Sequence, residues 1–286
     1  MPKNYRAELV GVFGDPVEGN PTGVMEEAAF AHCGLNFRYL TLKVTPADFP
    51  DAMKAIHALH MRGMNLTMPH KLAVLPYLDD ISRAAKIIGA VNTIVVREDG
   101  TLFGENTDGK GFVQALANRG IGLTGKRLVL LGAGGAARAI AVECALAGAA
   151  SLRIVNRTLP RAEELAALIR EHTDADATAD TLTAGYAIPA DTDILINATC
   201  LGLYPNVAEK PDIDYGAIRP GITAVDVVFN PADTAFLKAC AARGAVTVDG
   251  LGMLACQGAL NFTLWTGVDA PLDVMERQLA EEFAEA

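Results

Sequence analysis

The run from Arg127 to Ala147 constrains this 286-residue chain more than any other part of it. Apolar residues of strand type, Arg127 to Leu131, lead directly into Gly132-Ala133-Gly134-Gly135-Ala136-Ala137, and an alanine-rich helical pattern follows to Ala147. This is the G-x-G-x-x-G/A spacing. The first glycine makes a tight turn, the second lets backbone approach a pyrophosphate, and Ala137 is small enough for close helix-on-strand packing. Backbone amides at the positive end of the helix favour an anion there. A plain glycine turn between strand and helix is the competing reading. Either way the alternation continues. Leu152–Val155 reads as a strand, Pro160–Glu171 as a helix, Ile194–Asn197 and Ala224–Val228 as strands, Thr234–Ala242 as a helix and Ala245–Val248 as a strand. Strand–helix repetition of this kind predicts a doubly wound α/β domain, a parallel sheet covered on both faces.

The segment before it has a different texture. Leu9–Phe13, Phe37–Val44, Met64–Leu66 and Val91–Val96 read as strands, the last ending in the turn Glu98-Asp99-Gly100, and a helix is expected from Gly23 to Cys33. Thr45 and Pro46 have the chemistry of an N-cap and a first helical position, which predicts a helix from there to about Met61, before Gly63. The tail, Met253–Trp265 and Pro271–Glu285, is helical in pattern and is expected to pack back on the first domain.

Composition narrows the function classes. A net charge of −10 leaves no basic stripe to neutralise phosphates, which argues against nucleic acid as a partner. The longest apolar stretch, 128–150, is interrupted by the glycine turn, Arg138 and Glu143, so it reads as strand and helix rather than a membrane span. The N-terminal residues lack the apolar core of a signal peptide, so a cytoplasmic protein is expected. Five cysteines (Cys33, Cys144, Cys200, Cys240, Cys256) are scattered without a C-x-x-C pair, and read as reduced, mostly buried thiols rather than a zinc site or disulfide frame.

The end of the second strand of the repeating half discriminates between dinucleotides. NAD sites place Asp or Glu there for the ribose hydroxyls. This chain has Asn156-Arg157-Thr158-Leu159-Pro160-Arg161. Two guanidinium groups and a hydroxyl, with no carboxylate, suit the 2′-phosphate of NADP over NAD. Arginines that merely solvate a helix start are the bland alternative.

Asn65-Leu66-Thr67-Met68-Pro69-His70-Lys71 sets a lysine just after a strand at a proline-initiated helix start. Opposition to the helix dipole would lower its pKa and suit it to acid–base work. Two further strings, Gly89-Ala90-Val91-Asn92-Thr93 and Gly104-Glu105-Asn106-Thr107-Asp108-Gly109, accompany it. With N-x-T-x-P-x-K at 65–71, G-A-V-N-T at 89–93 and N-T-D-G at 106–109, the sequence resembles the shikimate/quinate dehydrogenase family over essentially its whole length. The glycine loop, Asn156-Arg157-Thr158 with Arg161, Asn197-Ala198-Thr199 and Gly250-Leu251-Gly252-Met253-Leu254 match as well.

The resemblance implies a substrate domain over 1–108, joined by helices of 250–286, and a Rossmann-like NADP domain over 109–249. It implies NADP-dependent oxidation of a ring hydroxyl of shikimate or a related cyclic compound, with Lys71 and Asp108 as the acid–base pair and Asn92 and Gln257 holding neighbouring hydroxyls. Gly132, Gly134, Gly135, Ala136, Asn156, Arg157, Thr158, Arg161, Thr199 and Gly250 would hold the cofactor. No metal is implied, and a monomer or homodimer is expected.

One end of the pattern departs. The family's first motif, G-x-P-I-x-H-S-x-S-P, carries two serines expected to hold the ring carboxylate. Here 14–23 reads Gly-Asp-Pro-Val-Glu-Gly-Asn-Pro-Thr-Gly, so Asn20 and Thr22 stand in the serine positions, and Glu26-Glu27 replaces a usual histidine–asparagine pair. Phe229 stands where a tyrosine is usual, while Thr67 is kept. Drift is one reading; the other is a different substrate, such as quinate, an amino analogue or a ring polyol. A nucleotide-binding sensor on the same fold is the non-enzyme alternative, against which the intact Lys71 and Asp108 speak. A folate-type NADP dehydrogenase would want a tyrosine at position 67 and fails there. His57 and His60 have a spacing that could seat a metal but read as solvated helix residues, His70 as site-lining, and Asp79-Asp80 as a solvated turn. Trp265, Leu272, Met275, Leu279 and Phe283 read as core or an oligomer face.

Overall fold

The computed structural model describes residues 5–284. The chain divides into two compact units, Met1–Thr107 with Ala255–Ala286, and Asp108–Leu254.

The first unit runs β1 (Glu8–Gly14), α1 (Thr22–His32), β2 (Phe37–Lys43), α2 (Phe49–Ala58), β3 (Gly63–Leu66), α3 (His70–Ala73), β4 (Asp80–Ile81), α4 (Arg83–Ile88), β5 (Thr93–Val96) and β6 (Leu102–Glu105). Its sheet has the order β2-β1-β3-β5-β6-β4. β1 lies parallel to β2 and β3, whereas β5 is antiparallel to β3 and β6. Phe13, Met53, Ile56, Met64, Leu66 and Ile94 form its core on one side.

The helix expected at Thr45-Pro46 begins later. The Thr45 hydroxyl donates to Asp48 at 2.7 Å and the Asp48 amide donates to the Thr45 carbonyl at 3.1 Å, so Pro46 lies in a turn ahead of the helix. Pro50 is the proline in the first helical turn, where a missing N–H costs nothing. The same helix ends at Ala58 rather than near Met61, because His60 takes the left-handed conformation (φ 52°) and the Met61 amide closes back on the Ile56 carbonyl at 2.9 Å. His60 therefore lies outside the helix, and the pair His57 and His60 is not a helical face; both are exposed. The strand expected from Val91 starts at Thr93, since the Val91 and Asn92 amides go to the carbonyls of Lys71 and Glu105.

The second unit opens in α5 (Thr107–Asn118), then follows β7 (Arg127–Leu131), α6 (Gly135–Leu146), β8 (Ser151–Asn156), α7 (Leu159–His172), β9 (Asp176–Thr181), β10 (Ile194–Asn197), β11 (Thr223–Asp226), α8 (Ala235–Ala241) and β12 (Val246–Val248). All its strand pairs are parallel, in the order β9-β8-β7-β10-β11-β12. Counted from β7, that is 3-2-1-4-5-6, the doubly wound dinucleotide-binding order. The order reverses between β7 and β10, and ligands of such sheets bind beyond the carboxyl ends of the strands at that point.

The chain returns to the first unit along α9 (Leu251–Thr266) and ends in α10 (Leu272–Ala284), which packs on α1. Glu285, the expected end of that helix, lies outside the described residues. Trp265 is buried, its indole N–H donating to the Ile94 carbonyl at 3.0 Å, and Met275 and Leu279 are buried with it in the unit's core. Gly63 admits that ring: a Cβ there would strike Trp265 Nε1 and the Ile94 carbonyl oxygen. Cys144, Cys240 and Cys256 are buried, Cys33 is half-buried and Cys200 is exposed, and all are free thiols. Among the described residues no helix is long and apolar enough to cross a membrane, and no group of ligating side chains could hold a metal.

Candidate functional site

In the second unit the glycine loop sits at the switch point. Gly132 directly follows β7 with φ 111°, a conformation that favours glycine. A Cβ there would come within 2.9 Å of the Ala198 carbonyl oxygen, so the loops after β7 and β10 pass at backbone contact. Gly134 caps α6 in extended conformation, and beside Gly134 and Gly135 a Cβ would meet nothing within 4 Å. Gly134, Gly135 and Ala136 are exposed, while Ala137 is fully buried against the strand layer. Bare backbone amides thus stand free at the start of a twelve-residue helix.

At the end of β8 the Asn156 side-chain Nδ2 donates to the Thr158 carbonyl at 3.0 Å and fixes the turn into α7. Arg157, Thr158 and Arg161 are exposed, and among the described residues neither guanidinium has a protein partner. Two unpaired cations beside an open glycine turn fit the phosphates of NADP. Thr199 is held by Asn197, its hydroxyl donating to Asn197 Oδ1 at 2.7 Å. Asn197 in turn donates to Asp226 at 3.0 Å, and Asp226 accepts from the Thr234 hydroxyl at 2.7 Å. Burial raises the Asp226 carboxyl above its ordinary range, against these hydrogen bonds. Gly250 packs on the chain after β11, where a Cβ would lie 2.6 Å from the Val227 and Val228 carbonyls; that close approach requires glycine. Phe229 is half-buried in this unit, and Asp108 lies in the first turn of α5.

In the first unit a buried polar network surrounds Asn92. Its Oδ1 accepts from the Thr107 amide at 2.8 Å and the Thr93 hydroxyl at 3.0 Å, and its Nδ2 donates to Thr107 at 3.0 Å and to Gln257 Oε1 at 3.4 Å. Asn65 donates to the Asn92 carbonyl and to Thr93, and accepts from the Tyr39 hydroxyl at 2.9 Å. Asn261 accepts from Thr93 and Thr107 at 2.8 and 2.9 Å. The Lys71 carbonyl accepts from the Val91 amide at 2.9 Å, which ties the lysine loop to the segment that carries Asn92 into β5. α3 is a single turn of four residues, so little helix dipole stands behind Lys71.

Thr67 is half-buried against Gly14, whose missing Cβ makes room for the threonine methyl. Asn20 Oδ1 accepts from the Thr22 amide at 3.0 Å, and no described residue accepts from the Asn20 side-chain N–H groups. Thr22 is buried.

Two expectations need correction. His70 does not line a site: it is buried, bonded through Nε2 to the Val44 carbonyl at 2.7 Å and stacked on Phe49 with ring centroids 4.3 Å apart. Asp79-Asp80 is not merely a solvated turn, because Asp79 accepts the Leu102 amide at 2.7 Å and Asp80 pairs with Arg97 at 3.0 Å. The sequence reading gave no role to Glu26, Tyr39, Asn65, Thr107 or Asn261. Asn65 and Thr107 lay inside strings already singled out, and Glu26 was visible only as a departure from pattern.

Family models match the chain in three places. The shikimate dehydrogenase substrate binding domain covers residues 12–94, shikimate / quinate 5-dehydrogenase covers 115–204, and the shikimate 5'-dehydrogenase C-terminal domain covers 250–280. The chain belongs to the shikimate dehydrogenase family. A relative named shikimate dehydrogenase (NADP(+)) from Moorella thermoacetica is 46% identical over 96% of this chain and 92% of its own. Among solved structures, a ligand-free 5-ketofructose reductase of a Gluconobacter species is 46% identical, with a TM-score of 0.94 over 98% of this chain and 100% of that one. The shikimate 5-dehydrogenase of Listeria monocytogenes, solved with shikimate and NAD, is 33% identical with a TM-score of 0.91 over 98% of each chain. A family member can therefore be similar over its whole length to proteins named for quite different substrates.

Proposed function

We propose that this protein is an NADP-dependent oxidoreductase that interconverts a secondary alcohol and a ketone on a small polyhydroxylated substrate of the shikimate class. The observation that carries this reading is the open glycine turn with unpaired Arg157 and Arg161 in the same chain as the loop 65–71 and the Asn92 network. Bound NADP supplies the acceptor for the hydrogen that leaves the alcohol carbon with its electron pair. Gly132, Gly134, Gly135 and Ala136 hold its pyrophosphate, Arg157, Thr158 and Arg161 its 2′-phosphate, and Asn156, Thr199 and Gly250 shape the surrounding loops.

Lys71 Nζ takes the hydroxyl proton on oxidation and returns it to the carbonyl oxygen on reduction, with Asp108 as its acidic companion. Asn92 and Gln257 hold neighbouring hydroxyls. Their mutual contact of 3.4 Å is long, so a ligand hydroxyl that replaces it loses little. In this reading Asn20, Thr22 and Thr67 serve the far end of the ligand. The same reading makes the protein a cytoplasmic monomer or homodimer, a compartment that suits its free, largely buried cysteines.

A second reading concerns the substrate. The likeness to the Gluconobacter 5-ketofructose reductase, together with Asn20, Thr22 and Phe229 at the family's carboxylate-holding positions and Glu26 in place of a usual histidine, favours an uncharged polyol or ketose over shikimate. The deciding experiment measures NADPH formed from shikimate and NADP, and NADPH consumed with 5-ketofructose, each repeated with the NAD pair. NADP-linked turnover of either compound is expected. Binding of NADP without turnover of any hydroxylated substrate would leave the nucleotide-sensor reading instead.

A further inference from the structure

Glu26 is a buried acid with nothing to hold it. It lies one turn beyond Thr22 on the same face of α1, both residues are buried, and neither Glu26 carboxyl oxygen has a hydrogen-bond partner among the described residues. Its neighbour Glu27 is engaged, accepting the Tyr39 amide. Across from this face lies Tyr39, whose ring would touch a Cβ on Gly23 at 3.2 Å and whose hydroxyl reaches Asn65, the residue bonded to the Asn92 carbonyl. Glu26 thus borders the polar network of the substrate unit. Burial, and then the charge of Glu27, push its carboxyl well above the ordinary range, so it tends to be a neutral acid with one O–H to donate and a carbonyl to accept.

The local charges also speak against an anion. In 14–27 the acids are Asp15, Glu18, Glu26 and Glu27, and the Lys43 amine stands between Asp15 at 3.5 Å and Glu18 at 3.9 Å. A ligand carboxylate at the start of α1 would be buried without a cation of its own, whereas a hydroxyl can both donate and accept. Leaving a carboxyl unpaired in a protein interior costs stability, a cost that a ligand hydroxyl would offset.

We propose that Glu26 is a specificity-determining residue, the hydrogen-bond partner of a hydroxyl on an uncharged polyhydroxylated substrate. The proposal rests on the oxidoreductase reading above and deepens it by naming the substrate class.

The test uses full-length protein with NADPH, measuring kcat and KM for 5-ketofructose and for 3-dehydroshikimate in wild type, Glu26→Met and Glu26→Gln. Glu26→Met keeps the volume and removes both hydrogen-bonding atoms. Its KM for 5-ketofructose is expected to rise at least tenfold with kcat within about threefold, because binding rather than chemistry is lost. Its melting temperature should stay level or rise. Glu26→Gln, which keeps one donor group and one acceptor, should recover most of the lost affinity. Wild type should favour 5-ketofructose over 3-dehydroshikimate in kcat/KM. An unchanged KM in Glu26→Met, a failure of Glu26→Gln to recover affinity, or a wild-type preference for 3-dehydroshikimate each overturns the specificity role while leaving the oxidoreductase reading intact. A Glu26→Met protein that does not fold, against the expected level or raised melting temperature, would show that Glu26 holds the fold and would also overturn the role. Wild type inert toward both substrates removes the oxidoreductase reading and this proposal together.

Discussion

The pair Arg157 and Arg161 gives the cleanest quantitative test, because both are exposed and neither has a protein partner among the described residues. Replacing them removes nothing from the fold, so stability should change by no more than about 0.5 kcal/mol per site. What they offer is charge-assisted hydrogen bonding to a phosphate, worth about 1.5–3 kcal/mol per bond. Exposure and a Debye length of about 8 Å at physiological salt place them at the lower end of that range. At about 1.5 kcal/mol each, Arg157→Ala and Arg161→Ala should each raise the KM for NADP by about tenfold. The two arginines would share one phosphate, so the double variant should fall somewhat short of the product of the singles. NAD lacks that phosphate, and its KM should move by less than about threefold. The assay is initial-rate kinetics with both cofactors at two salt concentrations, beside NADPH fluorescence titration and a thermal melt. In wild type the KM for NADP should rise with salt, and in the double variant that rise should flatten. An equal loss for NADP and NAD would refute the reasoning, since it would mean that the arginines shape the turn rather than read the phosphate.

Other perturbations follow from single observations. Lys71→Ala should lower kcat by about 10²–10⁴ while NADP still binds, because a positioned proton carrier is lost and the cofactor unit is untouched; titration with NADPH beside turnover checks both halves. Gly63→Ala should cost more than about 2 kcal/mol in urea unfolding, since its Cβ would collide with the Trp265 ring and the Ile94 carbonyl that the ring binds. Glu26 should make stability fall as pH rises. Its folded pKa is raised above the ordinary 4.5, so between 4.5 and that raised value the native state binds more protons than the unfolded chain. Unfolding free energy should therefore decline through that window in wild type, and Glu26→Met should lack that part of the slope when melts are compared from pH 5 upward.

Much of the second unit was legible because its signals are local. A strand, a glycine turn and a helix follow each other within 127–147, and each contact that makes the turn work joins residues near in sequence or on the next strand. β9 escaped notice because Asp176–Thr181 lies on the sheet edge, where only Ala177 is buried and no apolar run is needed. β4 has two residues and β6 four, below the length at which alternation stands out. The start of α2 misled for a chemical reason: Thr45-Pro46 and Pro50 both suit a helix N-terminus, and the hydroxyl of Thr45 chose a turn with Asp48. The network around Asn92 was out of reach because it joins positions as far apart as Thr93 and Asn261, and no period links them.

The same distinction separates reaction from substrate. Lys71, Asn92 and Asp108 sit in contiguous strings, and the Asn92 side chain is locked by four hydrogen bonds to three residues, so any substitution there breaks several of them at once. A family that varies its substrate must change residues whose partners are supplied by the ligand rather than by the fold. Glu26 fits that description: among the described residues its carboxyl has no hydrogen-bond partner, and it stands where the pattern departs. Asn20 fits it in part, since its oxygen serves the Thr22 amide while its N–H groups stay free to meet a ligand. If substrate choice resides in such loosely held groups, exchanging them should move KM ratios between substrates far more than it moves stability. Exchanging Asn65, whose hydrogen bonds are all to the protein, should do the reverse, costing folding free energy while leaving KM ratios level.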